Sequence, residues 1–169
     1  MTQPHSLPDL QALIAQNPQT WRPLVFTNGC FDLLHVGHVR YLQAARARGR
    51  RLVVGLNSDR SVQQLKPQAP GYPPRPLIPQ AQRAELLLAL AAVDAVVVFE
   101  ETTAIAPLES LKPEIYVKGG DYTPETLPEY PTVAAYGGAI EFVQIEVPTS
   151  TSGLIQRILD AGKLQSDPG

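Results

Sequence analysis

The sequence predicts an α/β fold, a single Rossmann-like domain with a parallel sheet covered by helices on both faces. Short apolar runs rich in β-branched residues alternate with segments of helical periodicity along most of the 169 residues. This alternation is typical of a parallel sheet enclosed between helices. The length suits one domain, and an apolar fraction of 44% is enough to fill one core.

The predicted elements follow one another in a regular order. A helix at residues 7–15 is expected to pack outside the sheet, within a helical extension of residues 1–22. Strands are predicted at residues 24–27, 51–56, 95–99, 115–117 and 140–145. Helices are predicted at residues 37–48, 81–92, 103–111 and 153–159, and Gly49 is expected to cap the first of them. The domain proper would span residues 23–162, followed by a flexible tail at residues 163–169.

Composition excludes several classes of protein. A net charge of −2 gives no basic surface for a nucleic acid backbone, and a single cysteine, Cys30, excludes an internal disulfide. Residues 1–20 lack the apolar core of a secretory signal. The most apolar stretch, residues 86–99, is interrupted by Asp94 and is shorter than the roughly 20 residues of a membrane helix. We therefore expect a cytoplasmic protein without nucleic acid or membrane partners.

Residues 66–79 form a proline-rich segment that interrupts the alternation. Six of the 17 prolines lie there, a density that neither a helix nor a central strand tolerates. Such a segment is typical of a flexible surface loop or of a functional loop. Lys66 and Arg75 favour a lid over an anionic ligand, and we expect this lid to become ordered when the ligand binds.

Two histidines mark the start of the first predicted helix of the domain. His35 and His38 are three residues apart, so both imidazoles can face one point, and Gly37 between them allows close approach to the backbone. A helix start also offers unpaired N–H groups to an anion. The pattern is compatible with a phosphate site, a metal site or a structural pair. A metal site is disfavoured, because Asp32 is the only further ligand nearby.

Two other stretches follow predicted strands. Lys118, Gly119 and Gly120 place a cation and exposed backbone at a strand end, which suits an anion or an ordinary glycine turn. The four hydroxyl residues at 149–152 precede the last helix, where one of them would serve as its cap. The remaining hydroxyls are candidates for a second phosphate contact.

These motifs carry a family resemblance. The run from His35 to His38 resembles the His-x-Gly-His signature of the cytidylyltransferase-like nucleotidyltransferases. Residues 27–35 resemble one branch in particular, the D-glycero-β-D-manno-heptose 1-phosphate adenylyltransferases. Further motifs in the order of that branch lie at residues 56–59, 65–66, 75–76, 83–84, 93–94, 118–122 and 150–152. The resemblance extends from about residue 25 to residue 158.

The chain departs from the branch at three places. Pro67 stands where a glycine commonly follows the loop lysine, and Ser152 replaces the second threonine of the last motif. Residues 125–133 do not follow the branch pattern. The loop and residues 125–133 are therefore where a different sugar or alcohol would be recognised.

The resemblance implies transfer of AMP from ATP to a sugar 1-phosphate such as heptose 1-phosphate, with release of pyrophosphate. It implies catalytic roles for His35, His38, Lys66 and Lys118. It implies nucleotide-binding roles for Thr27, Asn28, Gly29, Cys30, Phe31, Gly37, Gly119, Ser150, Thr151 and Ser152. Substrate-binding roles fall on Asp32, Arg75, Arg83 and Asp121. Mg²⁺ is expected to arrive with ATP, without a metal site built by the protein, and the family analogy suggests a homodimer.

Two alternatives remain open at this point. The first is a cytidylyltransferase that acts on a polyol phosphate such as glycerol 3-phosphate, because that branch shares the His-x-Gly-His signature. The second is a nucleotide-binding protein without turnover. The presence of His35, His38 and Lys118 argues against the second.

Overall fold

A sheet of five parallel strands forms the centre of the computed structural model, which describes residues 3–120, 123, 125–144 and 149–164. The strands are β1 (Leu24–Gly29), β2 (Arg51–Asn57), β3 (Ala95–Phe99), β4 (Ile115–Gly119) and β5 (Ala139–Val143). They lie in the order β3-β2-β1-β4-β5, and each neighbouring pair is parallel. The predicted fold class is confirmed.

Helices cover both faces of the sheet. Along the described residues they are α1 (Leu7–Gln16), α2 (Pro18–Trp21), α3 (Val36–Arg46), α4 (Asp59–Leu65), α5 (Gln80–Leu88), α6 (Ile105–Leu111), α7 (Tyr130–Ala135) and α8 (Thr151–Leu164). Apolar side chains of α1, α6 and α7 share one core cluster, and those of α3 and α5 share another. None of the helices in the described part of the chain is both long and apolar enough to cross a membrane.

Side chains of the central strands alternate between these two clusters. In β1, Leu24 and Phe26 join the cluster under α1 and α6, whereas Val25 joins the cluster under α3 and α5. Val53 and Val54 of β2 divide in the same way. Successive side chains of a strand point to opposite faces, and both faces are covered. The central strands are therefore apolar over most of their length, which made them recognisable in the sequence.

The strand order reverses beside β1. The chain passes from β2 to the edge strand β3 and then returns to place β4 on the other side of β1, with Val25 opposite Ile115. In open α/β sheets, ligands bind beyond the carboxyl ends of the strands at such a reversal. The ends of β1 and β4 therefore mark the expected position of the site.

The expectation that Gly49 caps α3 is wrong. The helix ends at Arg46 with Ala47 as its cap. Gly49 is required for a different reason, since a Cβ there would lie 2.6 Å from Val25 Cγ2 and 2.7 Å from the Pro23 carbonyl oxygen. Close packing against the start of β1, rather than helix termination, selects glycine at this position.

Some helices were not predicted from the sequence, and others differ in length from the prediction. Neither α4 nor α7 was predicted, because each is short and buries little, with Ser61 and Val62 in the first and Val133 in the second. Helix α5 ends at Leu88 instead of running to residue 92. Helix α8 continues to Leu164, so the tail predicted at residues 163–169 overlaps its end. Residues 165–169, and residue 145 of the last predicted strand, lie outside the described residues.

The predicted N-terminal extension contributes to the main core. Leu10 and Ile14 of α1 are buried in the same cluster as Val97 and Phe99 of β3. The backbone N–H of His5 also donates to the Val96 carbonyl at 2.9 Å. Helix α1 thus covers one face of the sheet near its β3 edge, while the boundary at residue 22 stays a prediction.

Candidate active site

A cleft of about 900 Å³ lies at the carboxyl ends of β1, β2 and β4, beside the start of α3. Most of the residues predicted to bind nucleotide or to catalyse meet there. The predicted residues in its lining are Asn28, Gly29, Cys30, Phe31, His35, Gly37, His38, Lys66, Lys118 and Gly119. The reversal of strand order therefore brings together motifs that are up to 91 positions apart in the sequence, from Asn28 to Gly119.

Hydrogen bonds to the backbone and ring stacking fix the two histidines at the start of α3. Nδ1 of His35 accepts a hydrogen bond from the Gly37 N–H at 3.1 Å, and Nδ1 of His38 accepts from the His35 N–H at 3.4 Å. Their rings stack with centroids 3.9 Å apart. A backbone N–H only donates, so each Nδ1 lacks a proton and each neutral ring carries its proton on Nε2. Both rings can therefore donate through Nε2.

Burial keeps this pair neutral. It lowers the pKa of His35, and it lowers the pKa of His38 to about 4 together with the neighbouring His35. The carbonyl of Leu33 offsets only part of the change in the pKa of His38. At neutral pH the site therefore presents two uncharged donors rather than two imidazolium cations.

The backbone around the histidines is shaped for this arrangement. A Cβ at position 37 would lie 2.9 Å from Nδ1 and Cε1 of His35, so Gly37 is needed for the ring to cap the helix. Phe31 has a φ of 45°, in the left-handed region that costs a non-glycine residue about 1 kcal/mol. Its ring packs edge-on against His38 with centroids 5.4 Å apart. The turn after β1 thus accepts local strain and supports the second histidine.

Lys118 and Asn28 form the floor of the cleft at the ends of β4 and β1. Lys118 Nζ donates to Asn28 Oδ1 at 3.2 Å, and the hydroxyl of Tyr116 donates to the same oxygen at 2.6 Å. Burial lowers the pKa of Lys118, while the charges of Glu129 and Cys30 act in the opposite direction. The two donors orient the amide of Asn28 with its oxygen toward Lys118.

Thr27 supports this floor from below. It is fully buried, and its hydroxyl is 2.7 Å from the hydroxyl of Tyr41, which donates to the Val117 carbonyl at 3.0 Å. Thr27 is outside the cleft lining, whereas Tyr41 lies within it. The sequence pattern placed Tyr41 only among the apolar positions of a helix, so its polar end was missed.

Asp32 and Arg75 pair with each other rather than with the cleft. The side chain of Asp32 is buried and forms an ion pair with Arg75 Nε. Its Oδ1 also accepts from the N–H groups of Leu77 and Ile78 at 2.8 and 2.9 Å. Both residues lie outside the cleft lining. These contacts hold the proline-rich segment, and the predicted contact of both residues with substrate stays a prediction.

Arg83 is neither a surface charge nor part of the cleft lining. Its side chain is fully buried, and NH1 donates to the carbonyls of Cys30 at 2.5 Å and Asn57 at 2.9 Å. Nε donates to the Ile78 carbonyl at 2.9 Å, and NH2 pairs with Asp59 at 2.8 Å. These partners occupy the guanidinium, so Arg83 supports the ends of β1 and β2, and its predicted contact with substrate stays a prediction.

The hydroxyl run before α8 reaches only the edge of the cleft. Thr149 lies in the cleft lining, but Ser150, Thr151 and Ser152 do not. Ser150 Oγ accepts from the Gly153 N–H at 3.1 Å and so caps the helix. The capping interpretation accounts for Ser150, and phosphate contacts by the three residues stay a prediction.

The fourth predicted substrate contact, Asp121, lies outside the described residues. Gly120 before it lines the cleft.

Sequence reasoning missed the opposite side of the cleft. It is lined by residues from the end of β2, from the loop after β3 and from the position before α7, namely Asn57, Thr102, Thr103 and Glu129. Glu129 is buried, and its Oε1 accepts from the Ala104 N–H at 3.0 Å. The signals in the sequence were the motif at residues 56–59, which contains Asn57, and the departure of residues 125–133 from the branch pattern.

Comparisons with known proteins agree with this geometry. A family model described as cytidylyltransferase-like matches residues 26–157. The chain is 52% identical over 139 residues to bifunctional protein HldE of Syntrophotalea carbinolica, covering 82% of this chain and 27% of that protein. It is 50% identical over 153 residues to bifunctional protein HldE of Geotalea uraniireducens, covering 90% of this chain and 30% of that protein. The chain thus spans less than a third of the length of these relatives.

Solved structures support the fold. The lipopolysaccharide core biosynthesis protein of Thermoplasma volcanium has a TM-score of 0.58 and 24% identity, covering 74% of this chain and 97% of that chain. Pantothenate synthetase of Thermus thermophilus has a TM-score of 0.52 and 14% identity, covering 85% of this chain and 62% of that chain. At such identities the likeness concerns the fold alone. The family match over most of the length and the stacked His-x-Gly-His pair establish that the chain belongs to the cytidylyltransferase-like nucleotidyltransferase family.

Proposed function

We propose that the chain transfers AMP from ATP to heptose 1-phosphate, forming an ADP-sugar and pyrophosphate. The observation that carries the proposal is the stacked pair of His35 and His38, whose rings line a cleft together with Lys66 and Lys118. Two neutral donors and two cations suit a phosphate that gains negative charge during displacement. The resemblance of residues 27–35 and 118–122 to the heptose 1-phosphate adenylyltransferases supports this choice of substrates.

The reaction needs positioning more than proton transfer. A phosphate oxygen of the acceptor attacks the α-phosphorus of ATP in line, and pyrophosphate leaves. The second pKa of a phosphate group is about 6, so the attacking oxygen is largely ionised at pH 7 and needs no general base. Nε2 of His35 and of His38 would donate to the α-phosphate and the departing oxygens, while Lys118 stabilises charge from the floor.

Two helix starts would receive the remaining phosphates. The hydroxyl of Thr151, at the start of α8, lies 3.5 Å from the Leu33 carbonyl just before α3, so the two helix starts are neighbours. Each offers backbone N–H groups and a partial positive charge. Lys66, at the first position of the proline-rich segment, would close over the β- and γ-phosphates from the other side.

Mg²⁺ would enter this site with ATP. No group of three or more His, Cys, Asp or Glu side chains within the described ranges could hold a metal ion. Mg²⁺ is commonly bound by substrate phosphates with few protein ligands, so the cleft is compatible with the nucleotide complex. Bound there, the ion would neutralise charge on the leaving pyrophosphate.

Pyrophosphate release measured for ATP and CTP, each with heptose 1-phosphate and with glycerol 3-phosphate, tests the proposal. We expect the highest kcat/KM for ATP with heptose 1-phosphate. Glycerol 3-phosphate should be poorer by a factor of about 10⁴ in the favourable case, because a site built to bind hydroxyls discriminates strongly against acceptors that lack them. A preference for CTP with glycerol 3-phosphate would instead identify a polyol phosphate cytidylyltransferase.

His38→Ala belongs in the same experiment. Loss of one donor to the transition state should lower kcat by about 10²–10³ while the KM for ATP changes little. His5→Ala, outside the cleft lining, is the matched control and should behave as the parent protein. ATP binding without turnover in the parent would favour a non-catalytic nucleotide-binding protein.

A further inference from the structure

The cleft has two walls on opposite faces of the sheet. The histidines stand at the start of α3, whose Leu42 packs in the cluster shared with α5. Glu129 stands immediately before α7, whose Val133 packs in the cluster shared with α6 on the other face. Both walls line the same cleft, and Lys118 lies on its floor. Glu129 therefore faces the phosphate-binding wall across the ends of the strands.

Glu129 has accepting capacity left on the cleft side. Its side chain is only 4% exposed, yet the residue is part of the cleft lining. Oε1 accepts from the Ala104 N–H at the start of α6. Within the described residues no hydrogen bond to Oε2 is found, and the residue lines the cleft. Oε2 is therefore the carboxylate oxygen that we assign to a ligand.

The charge of Glu129 determines which part of a ligand it can contact. Burial lowers the pKa of Lys118, and the negative charge of Glu129 offsets part of this change, so the two groups are electrostatic neighbours. A carboxylate accepts hydrogen bonds and repels phosphate, so this wall suits the uncharged, hydroxyl-bearing part of a ligand. Thr102 and Thr103, next to the Ala104 N–H that Glu129 holds, add two hydroxyls to the same wall.

We propose that Glu129 is a specificity-determining residue that accepts a hydrogen bond from a hydroxyl of the acceptor sugar. The inference rests on the proposed function and deepens it. A sugar 1-phosphate whose phosphate lies at the histidines, close to Lys118, extends its ring toward the opposite wall. The ribose of ATP offers the same hydroxyl chemistry, so kinetics must separate the two sources.

Glu129→Gln tests the proposal, with Glu125→Gln as the matched control. The amide oxygen of the new side chain preserves the bond to the Ala104 N–H, so a residue that only supports α6 would leave the kinetics unchanged. Glu125 is exposed on the same segment, and its substitution removes the same charge away from the cleft. KM and kcat are measured for ATP, heptose 1-phosphate and glycerol 3-phosphate in the parent and both variants.

We expect Glu129→Gln to raise the KM for heptose 1-phosphate about tenfold or more, which is typical for a lost hydrogen bond to a charged group. The KM for ATP should stay within about threefold, and the preference for heptose 1-phosphate over glycerol 3-phosphate should fall about tenfold. Calorimetric titration of heptose 1-phosphate in the presence of α,β-methylene-ATP should show the same weakening without turnover. Glu125→Gln should match the parent protein in every measurement.

Unchanged KM values and affinity in Glu129→Gln would overturn this proposal alone, provided that the parent protein forms the ADP-sugar. A rise confined to the KM for ATP would overturn the acceptor assignment and place the ribose at Glu129. A parent protein that forms no product with heptose 1-phosphate would contradict the proposed function itself.

Discussion

His35 and His38 show how two residues can supply donors without supplying charge. Each ring uses Nδ1 to accept from the backbone, and this interaction leaves the proton of the neutral ring on Nε2. The stacking of the rings disfavours a second positive charge beside the first. Uncharged donors of this kind suit an anion, and the ring of His38 is not titrated near pH 6.5, the ordinary pKa of histidine.

The pKa of His38 provides a direct test at this scale. Because burial lowers that pKa from 6.5 to about 4, His38 should remain neutral at pH 6 in the ligand-free protein. Its Cε1–H resonance, identified by its loss in His38→Ala, should titrate only as the pH approaches 4. A midpoint near pH 6.5 would contradict the geometry described for the ring.

The same change in pKa has a consequence for stability. The unfolded chain takes up the His38 proton at about pH 6.5, whereas the folded chain does so at about pH 4. The unfolded state therefore binds more protons between these values, and the contribution of neutral His38 to stability is present above pH 6.5 and decreases as the pH falls toward 4.

At the scale of elements, the proline-rich segment is anchored by its second half. Asp32 accepts from Arg75 and from the N–H groups of Leu77 and Ile78, directly before α5. Lys66 and residues 67–71 come before these anchors, and Lys66 lines the cleft. Because residues 75–78 are fixed, a smaller part of the segment must move when it closes over a ligand. The prolines reduce the conformational entropy lost on closing.

Asp32→Asn should loosen this segment. The amide removes the charge that pairs with Arg75 while keeping an oxygen for the N–H groups of Leu77 and Ile78. A hydrogen bond between charged groups contributes about 1.5–3 kcal/mol, so local opening and protease cleavage near Gly71 should increase about tenfold to a hundredfold. Limited proteolysis followed by mass spectrometry measures this rate.

Glu109→Gln removes an exposed carboxylate from α6, so it is the control for the loss of a negative charge away from the segment. It should be cleaved at the rate of the parent protein. Equal cleavage of Asp32→Asn and the parent would show that the ion pair does not anchor the segment. Protection of both proteins by ATP and Mg²⁺ would additionally support the expected closure of the lid.

At the scale of the whole molecule, Arg83 connects parts that are distant in the sequence. Its guanidinium bonds to the carbonyls of Cys30 after β1, Asn57 at the end of β2 and Ile78 in the loop, and it pairs with Asp59 of α4. These contacts hold the carboxyl ends of two central strands in fixed relation. A buried cation with this many partners cannot be removed without leaving polar groups unsatisfied.

Arg83→Met should therefore lower the free energy of unfolding by about 3 kcal/mol, because the buried carbonyls of Cys30, Asn57 and Ile78 lose their donor. Urea unfolding followed by circular dichroism measures the change. Arg60→Met, an exposed substitution on α4, should stay within about 0.5 kcal/mol of the parent. Similar losses in both variants would show that Arg83 is not a central support.

The sequence by itself determined the fold class and the position of the His-x-Gly-His motif. Strands buried on both faces are apolar over most of their length, so β1, β2 and β3 were predicted to within two residues of their observed ends. The pair of His35 and His38 could be recognised because its geometry depends on neighbours in one helix start. A local feature of this kind can be recognised from a stretch of about ten residues, without knowledge of the rest of the fold.

Only the tertiary structure decided what the charged side chains contact. Asp32 and Arg83 lie in or beside motifs of the site, and the sequence could not show that their partners are Arg75 and Asp59. It also could not show that Glu129 lines the same cleft as the histidines. The two ion pairs join segments 43 and 24 residues apart, whereas Glu129 and the histidines reach the same cleft because β4 returns to pair with β1. A periodic pattern reports which face of an element is buried, whereas the partner of a polar group depends on how the elements are arranged in space.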